Sequence, residues 1–355
     1  MLFADSVEEI LSSAISDKVF SAAVCSAVFP SGEAVVVPAG RFGFDERSES
    51  IGPDAVFDVA SVTKSIPVSS LALKFIGEGR LSLDDKLIDF LPEFGNSDRE
   101  KVTVRHLLVH TLDFGFRLSE QKLKSPEEIM AMILSSEFQS PPGSRYFYSN
   151  ATSILLGLLL ERLAGGSLPS LAEKHFFTPL GMSRTGFNPL ARFNASEIVP
   201  TEIQEWRGGS DPVRGEIHDE SAHVLNKIMT PGSAGLFSTA PDLLKFLSMI
   251  LNGGRWRGDL IMSPEIINKI TENQVAHLGD SAGLGWELNR PNYMGKFSGS
   301  STFGKTGFTG CVVAGDMVKK TGFVLLANYV YPHRKLDVSL LNPVRRAIAD
   351  LVFAP

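Results

Sequence analysis

The placement of the strand-like runs limits this chain's fold more than any other feature. Runs rich in Val, Ala, Phe and Leu occur at Phe20–Phe29 and Ala34–Val37, and strand character returns only late, at Gly283–Leu288, Gly307–Val318 and Gly322–Val330. Pro30-Ser31-Gly32-Glu33 reads as a hairpin turn between the first pair, and Lys319-Lys320-Thr321 as one between the last pair. The intervening sequence is helical in pattern. Residues 5–18 place Val7, Ile10, Leu11, Ala14 and Ile15 on one helical face. Thr103–His110 is a helix candidate, and Ser125-Pro126-Glu127-Glu128 carries the cap, first-turn proline and glutamate that open another. Asn150–Ala164, Pro241–Leu251 and Pro264–Asn273 follow, and Leu336–Phe353 closes the chain, with Asn342-Pro343 a candidate break. The simplest arrangement is an α+β fold. One antiparallel sheet is built from both termini and flanked by helices, and a helical domain is inserted between its strands. The expected division is 1–58 with 232–355 for the sheet part and 59–231 for the helical part.

A chain of 355 residues is long enough to bury a large core and would normally form one large domain or two interleaved ones. Its net charge of −6 and pI near 5.7 argue against a nucleic-acid partner. The longest apolar runs, such as Ile154–Leu160, are too short to span a bilayer, so no membrane span is expected. The N-terminus shows no charged segment followed by an apolar core, which makes the cytoplasm the expected location, or the periplasm or exterior if the chain has been trimmed. Cys25 and Cys311 form no metal or redox spacing and read as buried free thiols.

Three short motifs carry chemistry. In Phe57-Asp58-Val59-Ala60-Ser61-Val62-Thr63-Lys64, Ser61 stands where a helix begins and Lys64 one turn along on the same face. An amine so placed can take the serine proton or tune another base that does, and the helix N-terminus favours a developing anion. That helix is expected to reach about Glu78, with Pro67 bending it and Gly77 and Gly79 ending it. In Pro141-Pro142-Gly143-Ser144-Arg145-Tyr146-Phe147-Tyr148-Ser149-Asn150, a forced turn leads into the apolar helix. A tyrosine of ordinary pKa, about 10, is a poor base at neutral pH unless nearby lysines favour its anion. Asn150 can offer its amide to a substrate carbonyl and to Lys64. In Gly304-Lys305-Thr306-Gly307-Phe308-Thr309-Gly310, read as the start of a strand, Lys305 supplies a second cation and Thr306 a hydroxyl for an anionic group. Gly307 lets a substrate lie along the backbone, and the Phe308 N–H can face an oxyanion.

Each motif alone has a plainer reading: a helix cap, a core aromatic, an edge-strand lysine. The same spacing recurs at Ser119–Lys122, and Lys-Thr-Gly at Lys320–Gly322, where solvated loop and hairpin turn suffice. Order and flanking residues favour the functional reading of the three together. His106 and His110 are four apart on a helix without a third ligand, and His218 and His223 do not share a face, so no metal is expected. No Gly-x-Ser-x-Gly elbow is present. Trp256, Trp286, Tyr293, Phe297, Phe303 and Phe308 are candidates for either cleft or core.

The sequence resembles the serine β-lactamase and penicillin-binding-protein superfamily, closest to its class C β-lactamase-like group, which includes family VIII carboxylesterases and D-amino-acid peptidases and amidases. Ser61-Val62-Thr63-Lys64, Tyr148-Ser149-Asn150 and Lys305-Thr306-Gly307 match its three motifs. The likeness extends through Arg105–Thr111, Pro179–Met182, Gly215–Glu220 and Gly235–Thr239. The resemblance implies a β-lactamase/transpeptidase-like fold with its active site in the cleft between the two parts. It also implies an acyl-enzyme on Ser61, Lys64 and Tyr148 as its proton-handling partners, and Asn150, Lys305, Thr306, Gly307 and Phe308 around the substrate. No cofactor is implied. The implied substrate is a small ester, an amide or D-peptide, or a β-lactam. The alternative is a catalytically weak penicillin-binding protein that senses such molecules. Two departures stand out. Leu112-Asp113 replaces a Ser-Gly pair, and Phe308 occupies a position that is small in true β-lactamases, where it either narrows the cleft or points away.

Overall fold

The computed structural model describes residues 3–95 and 97–355. Its strands, among the described residues, are β1 (Ala22–Val28), β2 (Ala34–Gly40), β3 (Phe57–Asp58), β4 (Phe237–Ser238), β5 (Arg255–Trp256), β6 (Asp259–Leu260), β7 (Glu287–Leu288), β8 (Thr302–Thr306), β9 (Val312–Asp316) and β10 (Thr321–Ala327). Six of them form one antiparallel sheet in the order β2-β1-β10-β9-β8-β7, while β3 pairs with β4 and β5 with β6. The junction between the two ends of the chain is β1–β10, with Cys25 opposite Leu325. The mixed α+β architecture expected from the two termini is what the chain adopts.

The alternation of side chains along these strands explains the layering. In β1, Ala22, Val24 and Val28 join one apolar cluster, while Ala23, Cys25 and Ala27 join another. In β10, Val324 and Leu326 face the first cluster, and Phe323, Leu325 and Ala327 the second. Successive residues of a strand point to opposite faces, so a strand buried on both reads as one continuous apolar run. The first face is covered by the Ala240–Leu251 helix, the second by the terminal helices Phe3–Ser16 and Leu341–Phe353. β2, at the edge, accommodates Pro38, whose missing N–H an edge strand tolerates.

Between β3 and β4 the chain is helical. The Asn150–Ala164 helix buries Ile154, Leu155, Leu159 and Leu160 fully, each contributing about 1.5–3 kcal/mol by removal from water. That packing fixes its N-terminal end at the site described below. No single helix among the described residues is long and apolar enough to cross a membrane.

Several local expectations are corrected. The helix after Ser61 is interrupted at Ile66 (φ −118°, ψ 108°), which precedes Pro67, and resumes as Ser70–Gly77. The bend expected from Pro67 is therefore a true break. Gly304–Gly310 does not begin a strand: Lys305 and Thr306 end β8, and Gly307–Gly310 is the turn into β9. The Gly307 N–H donates to the Cys311 carbonyl at 2.8 Å, and Gly310 takes φ +127°, which only glycine accepts readily. Of Gly283–Leu288, only Glu287–Leu288 pairs as strand, because the chain turns before it: the Gly283 N–H donates to the Trp286 carbonyl at 2.9 Å and Gly285 takes φ +75°. The C-terminal helix starts at Leu341, and Asn342-Pro343 lie in its first turn, where a missing N–H costs nothing. The helix after Pro264 ends at Lys269.

Candidate active site

Ser61 sits on the turn that leaves β3. Asp58, 2 % exposed, shapes that turn: its Oδ1 accepts the Ala60 N–H at 2.8 Å, and Ala60 takes φ +46°, uncommon for a residue with a side chain. Its Oδ2 accepts the His218 N–H at 2.7 Å, and its carbonyl accepts the Thr309 hydroxyl at 2.7 Å. One buried residue thus ties the Ser61 turn to two other segments lining the site. Burial pushes its carboxyl above the ordinary value.

Lys64 is fully buried one turn on. Its ammonium donates to Ser61 Oγ at 2.8 Å and to the Ser233 carbonyl at 2.6 Å. Burial lowers its pKa and the Lys305 cation adds to the effect, against the opposing pull of Tyr148 and Asp219. Tyr148 comes in from the other side, on the residue before the Ser149 cap of the Asn150–Ala164 helix. Ser61, Lys64 and Lys305 are among the groups that act on its hydroxyl. The Lys64 and Lys305 ammonium groups lie 5.3 and 4.5 Å from its ring centroid. The residue is 41 % exposed, and although partial desolvation raises its pKa, the two cations outweigh it and hold the hydroxyl below its ordinary value.

Lys305 ends β8 and forms a buried ion pair with Glu287 of β7, the residue opposite Gly304 in the ladder. Burial alone would push the Lys305 ammonium down, and Glu287 more than offsets it, leaving the pKa above its usual range. Gly307 packs on the nucleophile segment so closely that a Cβ would fall 2.3 Å from the Val59 carbonyl. Next to it, the backbone N–H groups of Phe308 and of Ser61 donate to no protein acceptor among the described residues. These groups line a cleft of about 320 Å³. Larger hollows, of about 610, 410 and 390 Å³, lie elsewhere and contain no serine–lysine pair of this kind.

The site therefore gathers Ser61, Lys64, Tyr148, Lys305, Thr306, Gly307 and Phe308 around one opening. Asn150 stands beside them with a different partner from the one expected. Its amide donates to Asp219 at 3.0 Å, and the Lys64 ammonium finds its carbonyl at Ser233. Asp113, in the Leu112-Asp113 departure, is buried and accepts from Arg145 at 2.9 Å, three residues before Tyr148, so it anchors that loop. His110 shares a 2.6 Å hydrogen bond with Thr152 beneath the Tyr148 ring, and burial together with both lysines keeps it neutral. No group of three or more His, Cys, Asp or Glu among the described residues is arranged to hold a metal ion. Both cysteines are buried and free. Of the aromatic candidates, Phe308 lines the cleft, while Trp286, Tyr293 and Phe303 are buried.

Sequence reasoning did not find Glu287, the Ser233 carbonyl, Asp58, Asp219, Lys335 or Arg345. A charge inside an apolar run was an available signal for Asp58 and Glu287. Lys335 and Arg345 line the cleft with no carboxylate within ion-pair distance among the described residues. Lys335 donates to the Lys18 and Val19 carbonyls, and Arg345 to the Cys311 carbonyl at 2.9 Å. Burial lowers Arg345 to about 10.

Comparison with known proteins fits this geometry. A family model described as Beta-lactamase matches residues 14–342, and the chain belongs to that family. A "Putative D-alanyl-D-alanine carboxypeptidase" of Escherichia coli (strain K12) is 28% identical over 320 residues, covering 81% of this chain and 72% of that protein. Among solved structures, EstCE1, a hydrolase with promiscuous acyltransferase activity, superposes with a TM-score of 0.78 at 20% identity over 99% of this chain and 98% of its own. A class C beta lactamase gives 0.75 at 18% identity over 98% and 97%. The octameric penicillin-binding protein homologue from Pyrococcus abyssi gives 0.71 at 25% identity over 91% and 73%. The expected β-lactamase/transpeptidase fold is thereby established, and the chain falls in a superfamily of serine hydrolases with carboxypeptidase, esterase and β-lactamase relatives.

Proposed function

We propose that this protein hydrolyses an ester or amide through an acyl-enzyme on Ser61. The observation that carries the reading is the 2.8 Å contact between Lys64 Nζ and Ser61 Oγ, with Tyr148 held between Lys64 and Lys305. Ser61 Oγ attacks the carbonyl carbon, and its proton passes to the Tyr148–Lys64 pair, which titrates as a coupled set. The N–H groups of Ser61 and Phe308 receive the oxyanion. The proton then moves to the leaving oxygen or nitrogen as its bond to carbon breaks. A water molecule, deprotonated by the same pair, releases the acyl group and returns the proton to Ser61. Asn150, fixed by Asp219, lies on the acyl side. The sheet part and the helical part form the two walls of the cleft.

Lys335 and Arg345 add positive charge with no carboxylate within ion-pair distance among the described residues, and Thr306 adds a hydroxyl. This supports an acyl donor bearing an anionic group near the scissile bond, the chemistry of a D-peptide terminus, for which a β-lactam serves as an acylating probe. The test is an intact-mass time course with a penicillin beside Ser61→Ala. A mass increase on the wild type alone supports the reading. An adduct that clears signifies turnover, and one that persists signifies a penicillin-binding role. Turnover of a 4-nitrophenyl ester retained in Ser61→Ala would refute the mechanism.

A further inference from the structure

Phe308 follows Lys-Thr-Gly and lines the Ser61 cleft while remaining 46 % exposed. The side chain is not loose. It stacks on the His218 ring at 5.7 Å between centroids and 25° between planes, and the Arg334 guanidinium lies 5.3 Å from its centroid. Glu202, 3 % exposed, ties those two supports together, accepting from His218 Nε2 at 2.9 Å and from Arg334 Nε at 2.9 Å. Arg334 reaches Glu220 as well, at 2.6 Å. His218 is in turn fixed through its backbone to Asp58. Hydrogen bonds from His218 and Arg334 outweigh burial and hold the Glu202 carboxyl at about 2, so this support stays ionised through the neutral range.

A lone exposed aromatic would swing aside for a bulky substrate. A ring backed by buried His218 and Glu202 and by half-buried Arg334 gives way only if that layer moves. Stacking and cation–π contacts of this kind hold a ring with modest but additive strength. The backbone N–H of the same residue donates to no acceptor among the described residues and is one of the two proposed oxyanion donors, so an acyl group held there lies beside the ring.

We infer that Phe308, braced by His218, Glu202 and Arg334, is the specificity-determining side chain of the cleft, admitting linear esters and amides and excluding acyl donors with a rigid fused bicyclic body. This rests on the Ser61 acyl-enzyme reading above and narrows it. The excluded class is bicyclic β-lactams as efficient substrates; slow acylation by them remains compatible with the wall. Arg334 and Glu202 touch no substrate and act as positioning residues.

The experiment compares two rates in wild type, Phe308→Ala, Arg334→Lys and Ser61→Ala. One is kcat/KM for a small 4-nitrophenyl ester. The other is the second-order rate of acylation by a cephalosporin, followed by intact mass so that it registers even when deacylation is slow. Phe308→Ala keeps the backbone N–H and should raise the cephalosporin-to-ester ratio at least about fivefold, the scale of one lost aromatic contact. Arg334→Lys keeps its charge for Glu202 and Glu220 but loses the flat face against the ring, and should move the ratio the same way by a smaller factor. A ratio unchanged in Phe308→Ala, with ester turnover still Ser61-dependent, overturns the specificity role alone. A ratio raised in Phe308→Ala but unchanged in Arg334→Lys overturns the bracing. Ester turnover that survives Ser61→Ala overturns the acyl-enzyme reading, and this inference with it.

Discussion

Replacing Glu287 with Gln tests the electrostatics of the site most directly. Lys305 and Glu287 pair with side chains only 5% and 18% exposed. Opposite charges about 4 Å apart attract by about 4 kcal/mol at an effective dielectric constant of about 20. Breaking a buried pair by removing one member typically costs about 3–5 kcal/mol, because the other charge is left without a partner. Gln keeps an acceptor for the Tyr293 hydroxyl, which now donates to Glu287 at 2.7 Å. The expected loss at pH 7 is therefore near the lower end, about 3 kcal/mol.

The pH dependence separates charge from shape. Burial pushes the Glu287 carboxyl up, but Lys305 outweighs it and leaves the folded pKa below the ordinary value. Stability from a depressed carboxylate is present above the unfolded pKa of about 4.3 and disappears as pH falls through the folded value. Lys305 is displaced upward, so its share of the same coupling is intact below the unfolded value of about 10.4 and fades as pH rises through the folded one. The gap between wild type and Glu287→Gln should be flat from about pH 5 to about pH 10 and shrink in acid. Urea denaturation followed by tryptophan fluorescence at neutral and acidic pH measures it. A loss under about 1 kcal/mol at pH 7, or one that persists undiminished in acid, would refute the reasoning and leave only the lost packing and Tyr293 contact.

Three further outcomes follow from the same geometry. Asp219→Asn removes the charged acceptor of Asn150 and one of the groups favouring protonated Lys64, so the Lys64 pKa falls further and the acid limb of kcat/KM moves to lower pH; loosening Asn150 should also lower kcat about ten- to a hundredfold. Gly307→Ala forces a Cβ against the Val59 carbonyl, both parts of rigid backbone, and should cost about 2 kcal/mol in a melting or denaturant measurement while slowing acylation of Ser61. Cys25 and Cys311, whose thiols burial pushes to about 12 and about 11, should resist an aromatic disulfide reagent until the chain unfolds, as a titration with and without urea would register.

What the sequence makes legible and what it hides follow from how far apart the partners lie along the chain. Ser61 and Lys64 are one helical turn apart, so their contact is written locally, and the same holds for the Ser125–Glu128 capping box. The two-ended sheet is legible because β1 and β10 are buried on both faces and read as unbroken apolar runs. The turn at Gly307–Gly310 is harder, because glycine and threonine continue the strand pattern on either side and only the backbone hydrogen bond to Cys311 breaks it. Glu287, the Ser233 carbonyl and Arg345 enter the site through packing between segments far apart in sequence, and a backbone carbonyl leaves no mark in residue identity at all.

That separation has a chemical consequence. The local motif supplies a nucleophile and an amine, but an amine buried beside a serine is tuned mainly by what the distant segments bring. Ser233 takes one of the Lys64 protons in a hydrogen bond, Asp219 favours its charged form, and Lys305 opposes it. Glu287 keeps Lys305 cationic, and Lys305 in turn lowers Tyr148. The Ser-x-x-Lys at Ser61 and the identical spacing at Ser119–Lys122 differ in this respect: the second lies on a turn where Ser119 is exposed, and Lys122 stands 5.7 Å from the Trp206 ring with no hydrogen bond to Ser119 among the described residues. In the proposed mechanism nucleophile and base are necessary, and the long-range charge pattern, assembled by closing the sheet from both ends of the chain, is what Ser61 has beyond its local motif.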